Sequence, residues 1–229
     1  MNFSNCLITG ASSGIGRSIA IELSKKSKHI YILGRNIDRL EEVNDKIISN
    51  NSKCTIVPLD LCEENGIENL AQEILKKDGY LDLLLLSAGQ IRQLSPISSL
   101  NLKDSKNIMN LNYYANLRMI RSFHNLLISS KNPRLAVISS EKNIIKNEYW
   151  GIYQPIMCAL NELILTYASE NKNTNLKANI YCPESVNTRF RNEIMPGEDK
   201  LKLKSPDSVA QSVINHLIDE RQTGKLIQI

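Results

Sequence analysis

Apolar residues along this chain fall into two alternating patterns. Short runs with little polar interruption lie at Cys6–Thr9, Ile30–Leu33, Thr55–Leu59, Leu81–Ser87, Leu135–Ser139, Ala178–Cys182 and Leu226–Ile229. Between them, apolar positions recur at helical spacing near Ile15–Lys25, Arg39–Ile48, Ile67–Lys77, Asp104–Ile128, Tyr153–Glu170 and Ser208–Glu220. A strand that is almost continuously apolar is buried on both faces, and helices between such strands supply the cover. The pattern predicts a doubly wound α/β fold: a parallel sheet of about seven strands with right-handed crossovers. No repeat, low-complexity tract or Pro/Gly-rich linker divides the chain, so residues 1–229 are expected to form a single domain.

Composition narrows the function classes. Apolar residues make up 42% of the 229 positions, enough for a continuous core, which excludes a disordered chain. The net charge of +4 is scattered rather than blocked, which suits a small anionic ligand and leaves no nucleic-acid partner expected. The five cysteines (Cys6, Cys54, Cys62, Cys158, Cys182) are odd in number and lack C-x-x-C spacing. That argues against a disulfide framework or a zinc site and for reduced thiols in a cytoplasmic protein. The start MNFSNCLITG has no basic region followed by an apolar run. The aliphatic stretch Leu81–Leu86 is broken by Asp82 and too short to span a bilayer. A soluble protein with no metal and no membrane partner is the expectation.

The strongest local signal is Thr9-Gly10-Ala11-Ser12-Ser13-Gly14-Ile15-Gly16, placed between the first strand and the first helix. Glycines let backbone approach a pyrophosphate, and free N–H groups at a helix start favour negative charge. A ligand-free glycine turn is the plainer alternative, but the order strand, loop, helix favours a Rossmann-type dinucleotide site. The second strand ends in Leu33-Gly34-Arg35. A carboxylate at such a strand end would bond the ribose hydroxyl of NAD, whereas a guanidinium suits the 2′-phosphate of NADP(H), unless Arg35 is simply a solvated helix-start residue.

These residues resemble the short-chain dehydrogenase/reductase family, whose glycine motif is T-G-x-x-x-G-x-G, and the resemblance runs through most of the chain. It implies cofactor contacts from Gly10, Ser12, Ser13, Gly14, Ile15 and Gly16, with Arg35 at the 2′-phosphate. Asp60-Leu61 is similar to the family's adenine-contacting pair, although Asp60 equally reads as a cap for the following helix. Ser87-Ala88-Gly89 is similar to the later part of N-N-A-G, with Leu86 in place of the first Asn. Ala88 and Gly89 would then line the same site.

For catalysis the resemblance implies a Tyr that donates a proton, a Ser that bonds the carbonyl oxygen, and an Asn that supports a Lys four residues after the Tyr. Asn112 stands in Asn112-Tyr113-Tyr114-Ala115, similar to N-Y-x-G, and Ser140 precedes Tyr153 by the family spacing, 153 − 140 = 13. A helix-interior Asn, a strand-end Ser and a core Tyr are the plainer readings, and their joint spacing favours the site. The Lys is absent: Met157 stands four residues after Tyr153. Positions i and i+4 share a helix face, so an ammonium there would lie beside the phenol and favour its ionised form. Methionine cannot. Lys142 and Lys146, in the loop before Tyr153, are the replacements that would have to fold back, and Cys158 reads as a small apolar helix residue. After the sixth strand, Cys182-Pro183-Glu184-Ser185-Val186-Asn187-Thr188 keeps Pro183 and Thr188 of the family pattern but puts Glu184 where Gly is usual. Pro183, Val186, Thr188 and Tyr153 complete the implied cofactor set. A glutamate there is expected to repel phosphate unless it swings to solvent, and to be strained if the position needs a positive φ.

The segment Thr188–Pro206 stands where the family has its substrate cover and leaves no large lid, so an open pocket is expected. The resemblance implies NADP(H)-dependent hydride transfer to or from a small carbonyl or alcohol substrate, impaired by Met157. The alternative is a non-catalytic NADP(H)-binding or sensing protein on the same fold. A purely structural domain would leave the glycine loop and Arg35 without purpose. The resemblance also implies a homodimer or homotetramer through the two long central helices. The first of these carries Ile108, Met109, Leu111, Leu117, Ile120, Phe123, Leu126 and Leu127, more apolar positions than one buried stripe requires.

Overall fold

The computed structural model describes residues 3–63, 65–140, 148–219 and 221–229. Seven strands, β1 (Phe3–Thr9), β2 (Ser27–Gly34), β3 (Lys53–Pro58), β4 (Leu83–Leu86), β5 (Arg134–Ile138), β6 (Lys177–Cys182) and β7 (Leu226–Gln228), form one parallel sheet in the order β3-β2-β1-β4-β5-β6-β7. Alternate side chains of each strand enter different cores. Leu7, Leu84 and Leu86 join one cluster, while Cys6, Ile8, Leu83 and Leu85 join the other. That double burial is why these strands are apolar at successive positions.

On the first face lie α3 (Gly66–Asp78), α5 (Asn116–Ile128) and α6 (Tyr153–Glu170). On the second lie α1 (Gly14–Ser24), α2 (Ile37–Ser49) and α8 (Pro206–Asp219). Local chemistry sets several ends. Asn36 Oδ1 accepts from Arg39 N at 2.8 Å to cap α2. Gly79, at φ +76°, turns the chain out of α3, and Pro206 opens α8.

The central helix is not the uniform run expected over Asp104–Ile128. It begins as α4 (Leu102–Met109), widens into a π-helical turn at Asn110–Ala115, and resumes as α5. Within that turn the Asn112 amide accepts from Gln90 N and donates to Gln90 O, each at 2.8 Å. Asn116 Nδ2 donates to the Asn112 carbonyl at 2.7 Å, so a side chain satisfies backbone at the widened turn. The apolar surplus on this helix is largely taken up within the protomer: Ile108, Ile120, Phe123, Leu126 and Leu127 are buried, while Tyr114 and Ile128 stay exposed.

The sheet order reverses between β1 and β4. In open α/β sheets ligands bind outside the strand carboxyl ends at such a switch point. The glycine loop leaves β1 there, and Ser87-Ala88-Gly89 leaves β4 beside it.

Candidate active site

Thr9 ties the two loops together, its Oγ1 accepting from Ser87 N at 3.1 Å and Ala88 N at 3.2 Å. Gly10 sits at φ +67°, and a Cβ there would lie 2.9 Å from the Ala88 backbone. Only glycine fits both the turn and the close approach. Ser13 caps α1 in position only, since its side chain makes no cap bond and the first turn holds no acidic residue. The N–H groups at the start of α1 are thus left for an outside acceptor.

A cleft of about 700 Å³ opens over this helix start. One end holds Ser12, Arg35, Asp60 and Leu61; the glycine loop, Ile15, Ala88 and Gly89 form its floor; the other end holds Ser140, Tyr153, Met157, Pro183, Val186 and Thr188. The cofactor-contact and catalytic candidates singled out from sequence therefore line one continuous space, Asn112 included. Arg35 is largely exposed and lies 3.8 Å from the Asp60 carboxylate. Asp60 also accepts from Cys62 N at 2.9 Å, so it caps a turn ahead of α3 rather than α3 itself.

At the far end, β5 stops at Ile138, two residues short of Ser140. Ser139 Oγ donates to Asn161 Oδ1 at 2.6 Å, and Asn161 Nδ2 donates to the Ser140 carbonyl at 3.0 Å. Asn161 lies eight residues after Tyr153 on α6, so one amide fixes the Ser140 backbone to the helix that carries the phenol. The Ser140 Oγ is buried and has no hydrogen-bond partner among the described residues. Such an atom is costly to leave unpaired, and here it borders the cleft. Tyr153 opens α6, and burial, with the Cys182 thiol adding to it, pushes its phenol up to about 12.

Met157 follows one helical turn later, only 5% exposed, with its sulfur 3.9 Å from the Asn112 side-chain nitrogen. The thioether thus occupies the face that an i+4 ammonium would share with Tyr153. Lys142 and Lys146 lie outside the described residues. Glu184 is less disruptive than its charge implied. Its φ is not positive, it is exposed, and Lys204 Nζ lies 3.2 Å from its carboxylate.

The tail adds one short element to the cleft wall. Residues Arg189–Ile194 form a short helix, α7, capped by Thr188 Oγ1 accepting from Arg191 N at 3.2 Å. Arg189, Phe190 and Arg191 line the cleft from it. The sequence assigned no role to Trp150 and Phe190, which line the cleft, or to Gln90 and Asn161, which hold Asn112 and Ser140 from behind it. Asn161 was detectable from its spacing to Tyr153 on one helix face. Gln90 carried no such signal.

Residues 4–199 match the short chain dehydrogenase family. The chain belongs to that family. It is 29% identical over 223 residues to the uncharacterized oxidoreductase YciK of Escherichia coli, an alignment covering 95% of this chain and 88% of that protein. A short-chain dehydrogenase of Shigella flexneri, complexed with NADP, superposes with a TM-score of 0.91 at 28% identity, over 100% of this chain and 97% of that one. Another from Escherichia coli, complexed with NADPH, gives 0.91 at 27% identity over the same shares. By family the chain is thus a short-chain-type oxidoreductase on a Rossmann-type doubly wound sheet.

Proposed function

We propose that this short-chain dehydrogenase is an NADP(H)-dependent oxidoreductase acting on a small carbonyl or alcohol, with catalysis weakened by Met157. One observation carries the reading: the uncapped start of α1 opens into the same cleft that ends on Ser140 and Tyr153. A dinucleotide fits these residues. Its pyrophosphate would take the free N–H groups of α1, and its 2′-phosphate would meet Arg35. Adenine would lie by Asp60 and Leu61, and the nicotinamide half by Ala88, Gly89, Tyr153, Pro183, Val186 and Thr188. NADPH, when bound, supplies the hydride. The chain's own part is to hold the carbonyl oxygen at Ser140 Oγ and to move the Tyr153 proton onto it. Asn112 holds the loop at Gln90 and positions the Met157 thioether.

The full 229 residues are read as a single domain, and the exposed Tyr114 and Ile128 with the exposed Pro155 and Ala159 of α6 as part of a homodimer or homotetramer face. Five free thiols suit the cytoplasm, and no helix among the described residues is long and apolar enough to cross a membrane. A non-catalytic NADP(H)-binding protein is the second reading, favoured by the missing ammonium at Met157. A turnover assay over a carbonyl panel, run beside NADPH binding, tests the pair: turnover upholds the first reading, and binding without turnover selects the second.

A further inference from the structure

The chain has one tryptophan and three phenylalanines. Phe3 and Phe123 are core residues, whereas Trp150 and Phe190 belong to neither core cluster and line the Tyr153 end of the cleft. Their rings flank the phenol, with Trp150 at 5.8 Å and Phe190 at 5.9 Å between centroids, each tilted by 50°. Both side chains are only partly buried, and aromatic rings lining a cleft offer a ligand an apolar stacking surface.

The backbone around Trp150 points the same way. Tyr149 sits at φ +71° and Gly151 at φ +43°, so left-handed residues bracket the indole. A bulky residue in that region is uncommon and persists only where its surroundings hold it. Here Trp150 bridges to Ser95, and Ser95 N donates to Tyr149 O at 2.8 Å. A Cβ at Gly151 would lie 2.7 Å from the Leu100 side chain. The turn is built to hold the indole where it is.

Among the described residues, the cations at this end are paired. Arg191 lies 5.8 Å over the Trp150 ring, with Nε and Nη2 donating to Glu198 at 2.6 and 2.8 Å. Arg189 pairs with Glu193 at 2.6 Å, and Lys204 with Glu184 at 3.2 Å. Each of these cations has a carboxylate of its own, so a ligand acid would have to displace one.

We infer that this end of the cleft takes a flat, uncharged aromatic carbonyl compound, its ring against Trp150 and Phe190 and its oxygen toward Tyr153 and Ser140. The inference deepens the reductase reading and rests on it for the role of that pair. Stacking on two rings favours an aromatic ligand over an aliphatic one of equal size by roughly tenfold.

The test is calorimetric binding to the full chain, with and without NADPH. Acetophenone is compared with cyclohexyl methyl ketone, and benzaldehyde with 4-carboxybenzaldehyde. Acetophenone should bind about tenfold more tightly than its saturated counterpart and quench Trp150, the sole indole. The preference should fall to about twofold or less in Trp150→Leu and in Phe190→Leu, with circular dichroism verifying the fold of each. Should one variant fail to fold, the other and the wild-type ratio still decide. Equal affinity for the two ketones, a preference unchanged in the folded variants, or tighter binding of the carboxylate would overturn the inference. An aromatic preference without any NADPH binding upholds the pocket while removing the cofactor reading. NADPH binding with no aromatic preference does the reverse.

Discussion

A phenol held up at about 12 stays protonated throughout the physiological range, so Tyr153 can give a proton to a carbonyl oxygen yet offers little phenolate to take one from an alcohol. The sign is clear. On this group's account reduction should be flat between about pH 6 and 9, while oxidation should rise about tenfold per pH unit across the same range. Stopped-time assays in both directions over that range check it, and a bell centred near neutrality would count against it. Met157→Lys should put an ammonium beside the phenol, lower its pKa, and raise alcohol oxidation near neutrality by about 10²-fold or more. Tyr153→Phe on that background should remove the gain. Because Glu184 pairs with Lys204 and carries no positive φ, the single change is a fair test without Glu184→Gly. At the other end, Arg35→Asp should reverse a preference for NADPH over NADH, costing NADPH about tenfold in affinity by titration. The position of Met157 was legible because the family resemblance implies a Lys four residues after Tyr153, and the i+4 rule gives the shared helix face. Its contact with Asn112 was not, since the two lie 45 residues apart in sequence.

Between residue and fold stand the elements, and the legible ones are those whose burial produces a period. The apolar runs marked the strands because both faces of the sheet are covered, and boundaries shifted by a few residues where polar ends such as Lys53 or Ser27 still pair. Two features escaped for a physical reason. The π turn at Asn110–Ala115 holds the Asn112 amide against Gln90, a partner set by the fold rather than by any local pattern. The short α7 depends on a Thr188 cap and on Arg191 within it pairing with Glu198 beyond it, in a segment too polar to show a buried stripe. Asn161 belongs at this scale too, because it joins α6 to the end of β5. Asn161→Leu leaves the Ser139 hydroxyl and the Ser140 carbonyl without their partner, at a cost of about 1–3 kcal/mol. Urea unfolding should show that loss. Turnover should fall further than stability alone explains, since Ser140 would no longer be fixed relative to Tyr153. A variant as stable and as active as the parent would show that Asn161 does neither.

At the scale of the molecule, the reversal of strand order between β1 and β4 puts the cleft beside the start of α1, and this arrangement owes nothing to Met157. Cofactor binding and catalysis are therefore separable, and the first can be read as whole-chain stability. A ligand that binds only the folded state at a hundred times its Kd stabilises it by about 2.7 kcal/mol. For a chain of this size each kcal/mol moves Tm by roughly 2–4 °C. NADPH at that excess should thus raise Tm by about 5–10 °C. The same concentration should protect Arg35→Asp only about half as much, given its tenfold weaker binding, and should protect Met157→Lys about as well as the parent, because Met157 is not among the residues read as holding the cofactor. Oligomer state enters the same measurement. If Tyr114, Ile128 and the exposed side of α6 pair two protomers, sedimentation should give twice 25.9 kDa, and Tm should rise with protein concentration in both parent and variants. Comparing variants at one protein concentration removes that contribution. A melt unmoved by NADPH, with Arg35→Asp indistinguishable from the parent, would leave the uncapped helix start without its anion and take the cofactor reading down with it.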